Sequence, residues 1–175
     1  MPASDGPSGA DLPSVADAAR EIVRLLTSSG RTVGVAESLT GGRVVSALVD
    51  VPGASAVVRG GVVAYATPLK HSLLGVDAEL LAERGPVDAE VARRMAEGVR
   101  RAAAVDGRPA DLGVATTGVA GPDPQGQAPV GLVFVAVADE RGSTARELRL
   151  PGDREAVRSA AASAALALLL EHARS

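Results

Sequence analysis

Thr32-Val33-Gly34-Val35-Ala36-Glu37-Ser38-Leu39-Thr40-Gly41-Gly42-Arg43-Val44-Val45-Ser46-Ala47-Leu48-Val49-Asp50 passes from a β-branched run through polar and glycine residues into a helical pattern. Residues 32–36 are a short run with β-branched side chains, which reads as a strand. Glu37 to Gly42 break the run with polar and glycine residues, and residues 43–50 continue as a helical stretch. The unit is therefore strand, loop, helix, with polar side chains at the strand's exit.

Moving outward toward the N-terminus, Ser14 can cap a helix in which Val15, Ala18, Ile22, Leu25 and Leu26 recur at helical spacing until Ser29 and Gly30 end it. Toward the C-terminus, Val51-Pro52-Gly53 reads as a turn and residues 57–66 as a strand, in which Gly60 and Gly61 mark a bulge or a close backbone approach. Pro68 suits the first turn of a helix that runs through Leu74 and closes at Gly75. Residues 77–84 and 88–104 supply two more helices. Residues 112–117 read as a buried strand that ends in a glycine-rich loop, residues 118–126. Residues 130–138 and 144–150 flank the turn at 139–143 like a hairpin, and Asp153 can cap a final helix over residues 154–174. No internal repeat is visible. Strands alternating with helices, followed by an antiparallel pair, predict a three-layer α/β/α domain with a mixed sheet covered on both faces. In such domains ligands bind at the strand exits.

The composition fits one domain. The chain has 175 residues, 46% of them hydrophobic, so residues 14–175 are expected to form a single domain, and the Pro-, Gly- and Ser-rich residues 1–13 a flexible tail. One Tyr, one Phe and no Trp leave the core to Val, Leu, Ala and Ile, and leave little for stacking on bases. A net charge of -3 gives no general basic field, so nucleic acid is a poor partner, although a local patch can still hold one phosphate. The absence of cysteine excludes disulfides, thiolate chemistry and Cys-based zinc sites. The N-terminus lacks the basic start and apolar centre of a secretory signal. The longest apolar stretch, residues 160–170, is interrupted by Ser163 and too short to cross a bilayer. A cytoplasmic protein with no membrane association is expected. The Ala-rich face over residues 159–170 suits burial against a second subunit, hence a homo-oligomer, but burial within the chain explains it equally well.

Several residues can do chemistry. Ser38 lies just beyond a strand and before Thr40, Gly41 and Gly42, where free amides at a helix start could bind an oxyanion or a phosphate. That segment alone reads at least as simply as a capped turn. Lys70 is the only lysine among 18 basic residues, and Tyr65, five positions earlier, is the only tyrosine. A desolvated lysine can act as a base where arginine cannot, so Ser38, Tyr65 and Lys70 form a set able to activate an alcohol without histidine. A solvated surface lysine and a core tyrosine account for the same pair. His71 and His172 show no metal-type spacing, so no metal is expected. The loop at residues 118–126 lacks the lysine and hydroxyl of a P-loop, which disfavours a nucleoside triphosphate. Arg154 at a helix start can clamp a phosphate or carboxylate, or simply lie on the surface. Glu37, Asp123 and Asp153 are too scattered for a paired-acid hydrolase, and Glu37 can orient the site or cap a helix.

Taken together, Ala36-Glu37-Ser38-Leu39-Thr40-Gly41-Gly42, Val51-Pro52-Gly53-Ala54-Ser55, Gly61-Val62-Val63-Ala64-Tyr65, Lys70 and Leu74-Gly75-Val76 resemble the CinA C-terminal domain family. So do Gly85-Pro86-Val87, Thr117-Gly118-Val119-Ala120-Gly121-Pro122, Pro129-Val130-Gly131 and Gly152-Asp153-Arg154, in order and over nearly the whole chain after residue 13. The resemblance implies hydrolysis of the carboxamide of nicotinamide mononucleotide to nicotinate mononucleotide and ammonia, with no cofactor. It implies that Ser38 attacks the carboxamide and that Lys70 is the general base, assisted by Tyr65. Thr117, with Gly118 and Gly121 of the adjacent loop, would contact the substrate, and Arg154 would face its phosphate. The chain departs from the family pattern at Leu39 (often Cys), at Ala66-Thr67 (often Ser-Asn) and at Ala128 (often Lys), the last expected to weaken a phosphate or loop contact. These departures keep a second expectation open, a non-catalytic nucleotide-binding or interaction module of the same fold. Longer family members carry a further N-terminal domain, so this chain is read as the stand-alone form.

Overall fold

Valine and alanine alternate along the central strands, so each strand can be covered on both faces, and the chain builds a mixed sheet on that basis. The computed structural model describes residues 14–175, and the tail expected over residues 1–13 lies outside the described residues. In chain order the elements are α1 (Val15–Ser29), β1 (Val33–Glu37), α2 (Arg43–Val49), a 3-10 turn (Ala54–Ala56), β2 (Val58–Val63), α3 (Thr67–Leu74), α4 (Ala78–Arg84) and α5 (Ala89–Ala102). They continue with β3 (Leu112–Gly118), β4 (Leu132–Ala138), β5 (Ser143–Arg149) and α6 (Arg154–Arg174). The sheet order is β2-β1-β3-β4-β5. β2, β1 and β3 run parallel, and β4 and β5 form the antiparallel hairpin.

The helix ends follow from local chemistry. Ser14, Asp77, Asp88 and Asp153 each accept hydrogen bonds from backbone amides in the first turn of their helices, which would otherwise lack partners. Gly30 and Gly75 close α1 and α3 in the left-handed conformation. β2 is shorter than residues 57–66 because its partner β1 ends at Glu37. The Ala64 amide makes one last bond to the Glu37 carbonyl before the chain leaves the sheet. Val33 pairs with Val58 and Gly34 with Gly60, so Arg59 is the extra residue of a bulge beside the expected Gly60-Gly61 pair.

Two apolar cores lie on opposite faces of the sheet. Val33, Val35, Leu112, Val114, Val133, Val135 and Val137 pack with Ile22, Leu26, Leu48, Leu166 and Leu169 of α1, α2 and α6. Ala36, Ala115, Phe134 and Ala136 face Val91, Met95 and Val99 of α5, together with Leu74 of α3. This second layer is unusually close. A Cβ on Gly113 would stand 2.0 Å from the Ala96 carbonyl oxygen, and one on Gly98 1.8 Å from that of Leu74. Glycine at these two positions lets α5 lie on the sheet and α3 lie on α5. Ala161, Ala165, Leu166, Leu168 and Leu169 are buried within the chain itself. Burial within the chain therefore accounts for much of the α6 face, while Ala160, Ala164 and Ala167 stay partly exposed. No helix among the described residues is long and apolar enough to cross a membrane.

Candidate active site

β1 and β3 are neighbours, but the chain leaves β1 through α2 on one face and reaches β3 through α3, α4 and α5 on the other. The loops after these two strands consequently diverge and leave a crevice at their C-terminal ends. A cavity of about 280 Å³ occupies it, near the lower end of the about 300–1,000 Å³ typical of small-molecule sites. Ser38, Lys70, Tyr65, Thr117, Gly118, Gly121 and Arg154 all line it. The structure thus brings together seven of the sequence-derived candidates, drawn from α3, β3, α6 and the loops after β1, β2 and β3.

Ser38 is the first residue beyond β1, and its amide donates to the Thr116 carbonyl at 3.1 Å. The Lys70 Nζ donates to Ser38 Oγ at 3.0 Å and to the Ala64 carbonyl at 2.8 Å. Both partners are neutral, and no carboxylate pairs with Lys70 among the described residues. Lys70 is only 1% exposed, and burial pulls its pKa down from the ordinary 10.5 to about 8, because an ammonium loses hydration that two neutral oxygens do not replace. Tyr65, by contrast, is 61% exposed. The bland alternative of a surface lysine and a core tyrosine is thus reversed on both counts. Tyr65 makes no hydrogen bond to Ser38 or Lys70. Its hydroxyl accepts from Arg154 Nη2 at 3.1 Å, while Arg154 Nη1 donates to the Gly121 carbonyl at 2.7 Å. In this geometry Tyr65 contacts Arg154, an exposed cation at the cavity mouth, rather than the Ser38–Lys70 pair.

Thr40, Gly41 and Gly42 do not line the cavity. The expectation of free amides at the start of α2 needs correction, because Glu37 caps the helix. Its buried carboxylate accepts from the amides of Gly42, Val44 and Val45 at 2.9–3.1 Å, and a carboxylate at a helix N-terminus also suits the helix dipole. The Gly41 amide turns back to the Ser38 carbonyl at 3.1 Å. In the loop from Ser38 to Gly42, the amides of Leu39 and Thr40 have no hydrogen-bond partner among the described residues. Beneath them the Thr40 and Thr116 hydroxyls share a buried hydrogen bond of 2.8 Å. Thr117 Oγ1 donates to the Pro86 carbonyl at 2.6 Å, tying β3 to the turn before α5.

Some lining residues were legible only as parts of motifs, with no role of their own. Pro86, Val87 and Gln125 reach the cavity from loops that only tertiary packing brings near Ser38. Of the three departures from the family pattern outside Leu39, Thr67 lines the cavity, whereas Ala128 belongs to a neighbouring depression with Glu83 and Arg84. His71 and His172 bond through Nδ1 to the carbonyls of Val76 and Leu168. Among the described residues no group of three His, Cys, Asp or Glu side chains is placed to hold a metal ion.

Comparisons with known proteins bear on the family and the fold. The model of the family described as "CinA C-terminal domain" matches residues 15–173. A CinA-like protein of Frankia casuarinae is 48% identical over 148 residues, which cover 85% of this chain and 33% of that protein. A CinA-like protein of Gloeobacter violaceus is 46% identical over 164 residues, covering 92% of this chain and 37% of that protein. The chain thus spans about a third of the length of these curated relatives. Among solved structures, the competence/damage inducible protein CihA from Agrobacterium tumefaciens superposes with a TM-score of 0.84 at 35% identity, covering 91% of this chain and 96% of that one. A CinA superfamily protein from Klebsiella pneumoniae superposes with a TM-score of 0.85 at 29% identity, covering 93% and 99%. Matched along nearly all of its described length, this chain belongs to the CinA C-terminal domain family.

Proposed function

We propose that the Ser38 cavity hydrolyses a carboxamide, and that its substrate is nicotinamide mononucleotide, giving nicotinate mononucleotide and ammonia. The observation that carries the reaction class is the buried, unpaired Lys70 ammonium 3.0 Å from Ser38 Oγ. Once deprotonated, the Lys70 amine presents its lone pair along the same line and takes the hydroxyl proton as Ser38 attacks the carboxamide carbon. The tetrahedral oxyanion is received by the unpartnered Leu39 amide next to Ser38. The Lys70 ammonium then returns its proton to the leaving nitrogen, ammonia departs, and water attacks the acyl-enzyme with Lys70 again as base. Arg154, exposed at the mouth and held by Tyr65, suits the phosphate. The choice of nicotinamide mononucleotide rests on the family resemblance, and the cavity's polar base with one cation at its rim supports it.

Purified protein is expected to release ammonia from nicotinamide mononucleotide, and Ser38→Ala or Lys70→Met to abolish that release. A folded wild-type protein inert on this substrate overturns the proposal. Binding of the mononucleotide without turnover would instead favour a binding module.

A further inference from the structure

Arg158 lies one turn beyond Arg154 on α6 and reaches the loop that follows Ser38. Its Nε donates to the Leu39 carbonyl at 2.8 Å and its Nη2 to the Thr40 carbonyl at 3.3 Å. Gly41, at φ +60°, makes room for this fork, since a Cβ there would stand 3.1 Å from Nη2. The only acidic group within ion-pair reach among the described residues is Glu155, at 4.0 Å from Nη1, and that carboxylate is held more closely by Arg43 at 2.6 Å. The guanidinium is therefore directed mainly at two backbone carbonyls.

Those two carbonyls lead to the two unpartnered amides. Leu39 C=O and Thr40 N–H belong to one planar peptide unit and point in opposite directions. Pinning the carbonyl from the α6 side turns the Thr40 N–H away from α6. Thr40 C=O shares its peptide with the Gly41 N–H, which donates to Ser38 C=O at 3.1 Å, and Ser38 C=O shares its peptide with the Leu39 N–H. Each free amide thus ends a hydrogen-bonded chain that begins at the guanidinium. Chains of this kind polarise one another, and a cation at the head strengthens the donor at the tail. From this we infer that Arg158 is a positioning residue, which orients and polarises the two amides after Ser38 so that the Leu39 amide, whose residue lines the cavity, receives an oxyanion on the group attacked by Ser38. The inference rests on the amidohydrolase reading above.

The test compares wild type, Arg158→Met and Arg158→Lys by kcat and KM on nicotinamide mononucleotide, by pH profile, and by amide proton resonances and hydrogen exchange. Loss of one oxyanion donor outright costs about 100- to 1,000-fold in kcat. Loss of its support is expected to cost about 10- to 100-fold, with KM within about threefold and with the lower pH limb unmoved, because Lys70 is untouched. Arg158→Lys, which keeps a cation able to reach one carbonyl, recovers part of the loss and stands in if the Met variant does not fold. A folded Arg158→Met with kcat within about twofold of wild type, a loss confined to KM, or a displaced pH limb overturns the inference. If wild type releases no ammonia, the functional reading fails and the amides decide alone. Upfield-shifted amide proton resonances and altered exchange at Leu39 and Thr40 in Arg158→Met uphold the positioning role, and unchanged ones overturn it.

Discussion

Lys70 sits where water would otherwise hydrate its ammonium, and its partners, a hydroxyl and a carbonyl, cannot neutralise it. Its pKa near 8 places deprotonation inside the working range of an enzyme, which is what a general base requires. If Lys70 is that base, only its neutral form accepts the Ser38 proton, so kcat/KM should climb tenfold per pH unit below about 8 and level off above it. Initial rates of ammonia release from pH 6 to 10 measure this, and a profile flat across pH 8 contradicts the role. At this scale the sequence was informative in kind. A lone lysine among many arginines and a lone tyrosine pointed to the right neighbourhood, while the tyrosine's bond to Arg154 depended on a contact between residues 89 positions apart.

Among the elements, α3 carries Lys70 and α2 follows Ser38, and their N-termini are treated differently. Glu37 gives α2 three hydrogen bonds, whereas Ala66 at the N-cap of α3 offers no side-chain acceptor. The departure at position 66 thus has a physical meaning: the chain forgoes a cap, with extended backbone at φ -74° and ψ 134° already suited to one. Ala66→Ser is expected to raise the unfolding free energy by about 1 kcal/mol in chemical denaturation without altering kcat. Helix and strand positions were legible from periodicity and caps, since both depend on neighbours within a few residues. β2 was read too long because its end is set by the end of β1, more than twenty positions away in sequence.

For the whole molecule, the same lysine couples stability to pH. Its folded pKa of about 8 lies below the ordinary 10.5, so between those values the unfolded chain binds more protons and stability rises with pH. Below about pH 8 the penalty for burying the charge is fully present. From pH 7 to 9.5 wild type should gain on the order of 2 kcal/mol relative to Lys70→Met, read from paired denaturant titrations. A constant difference between the two proteins would show that the ammonium is not desolvated in the folded state.

The order of strands and helices, the caps, the aromatic-poor core and the shortlist containing Ser38 and Lys70 could be read along the chain, because each is written in residue types and short spacings. Only the tertiary structure decided that α5 lies against Gly113 and α3 against Gly98, which seats Lys70 beneath Ser38. It also decided that Glu37 consumes the helix-start amides, and that Arg158, about 120 positions on, holds the carbonyls of the loop after Ser38. Burial, and with it the charge state of a lysine, depends on which distant elements close over it, and no local pattern contains that.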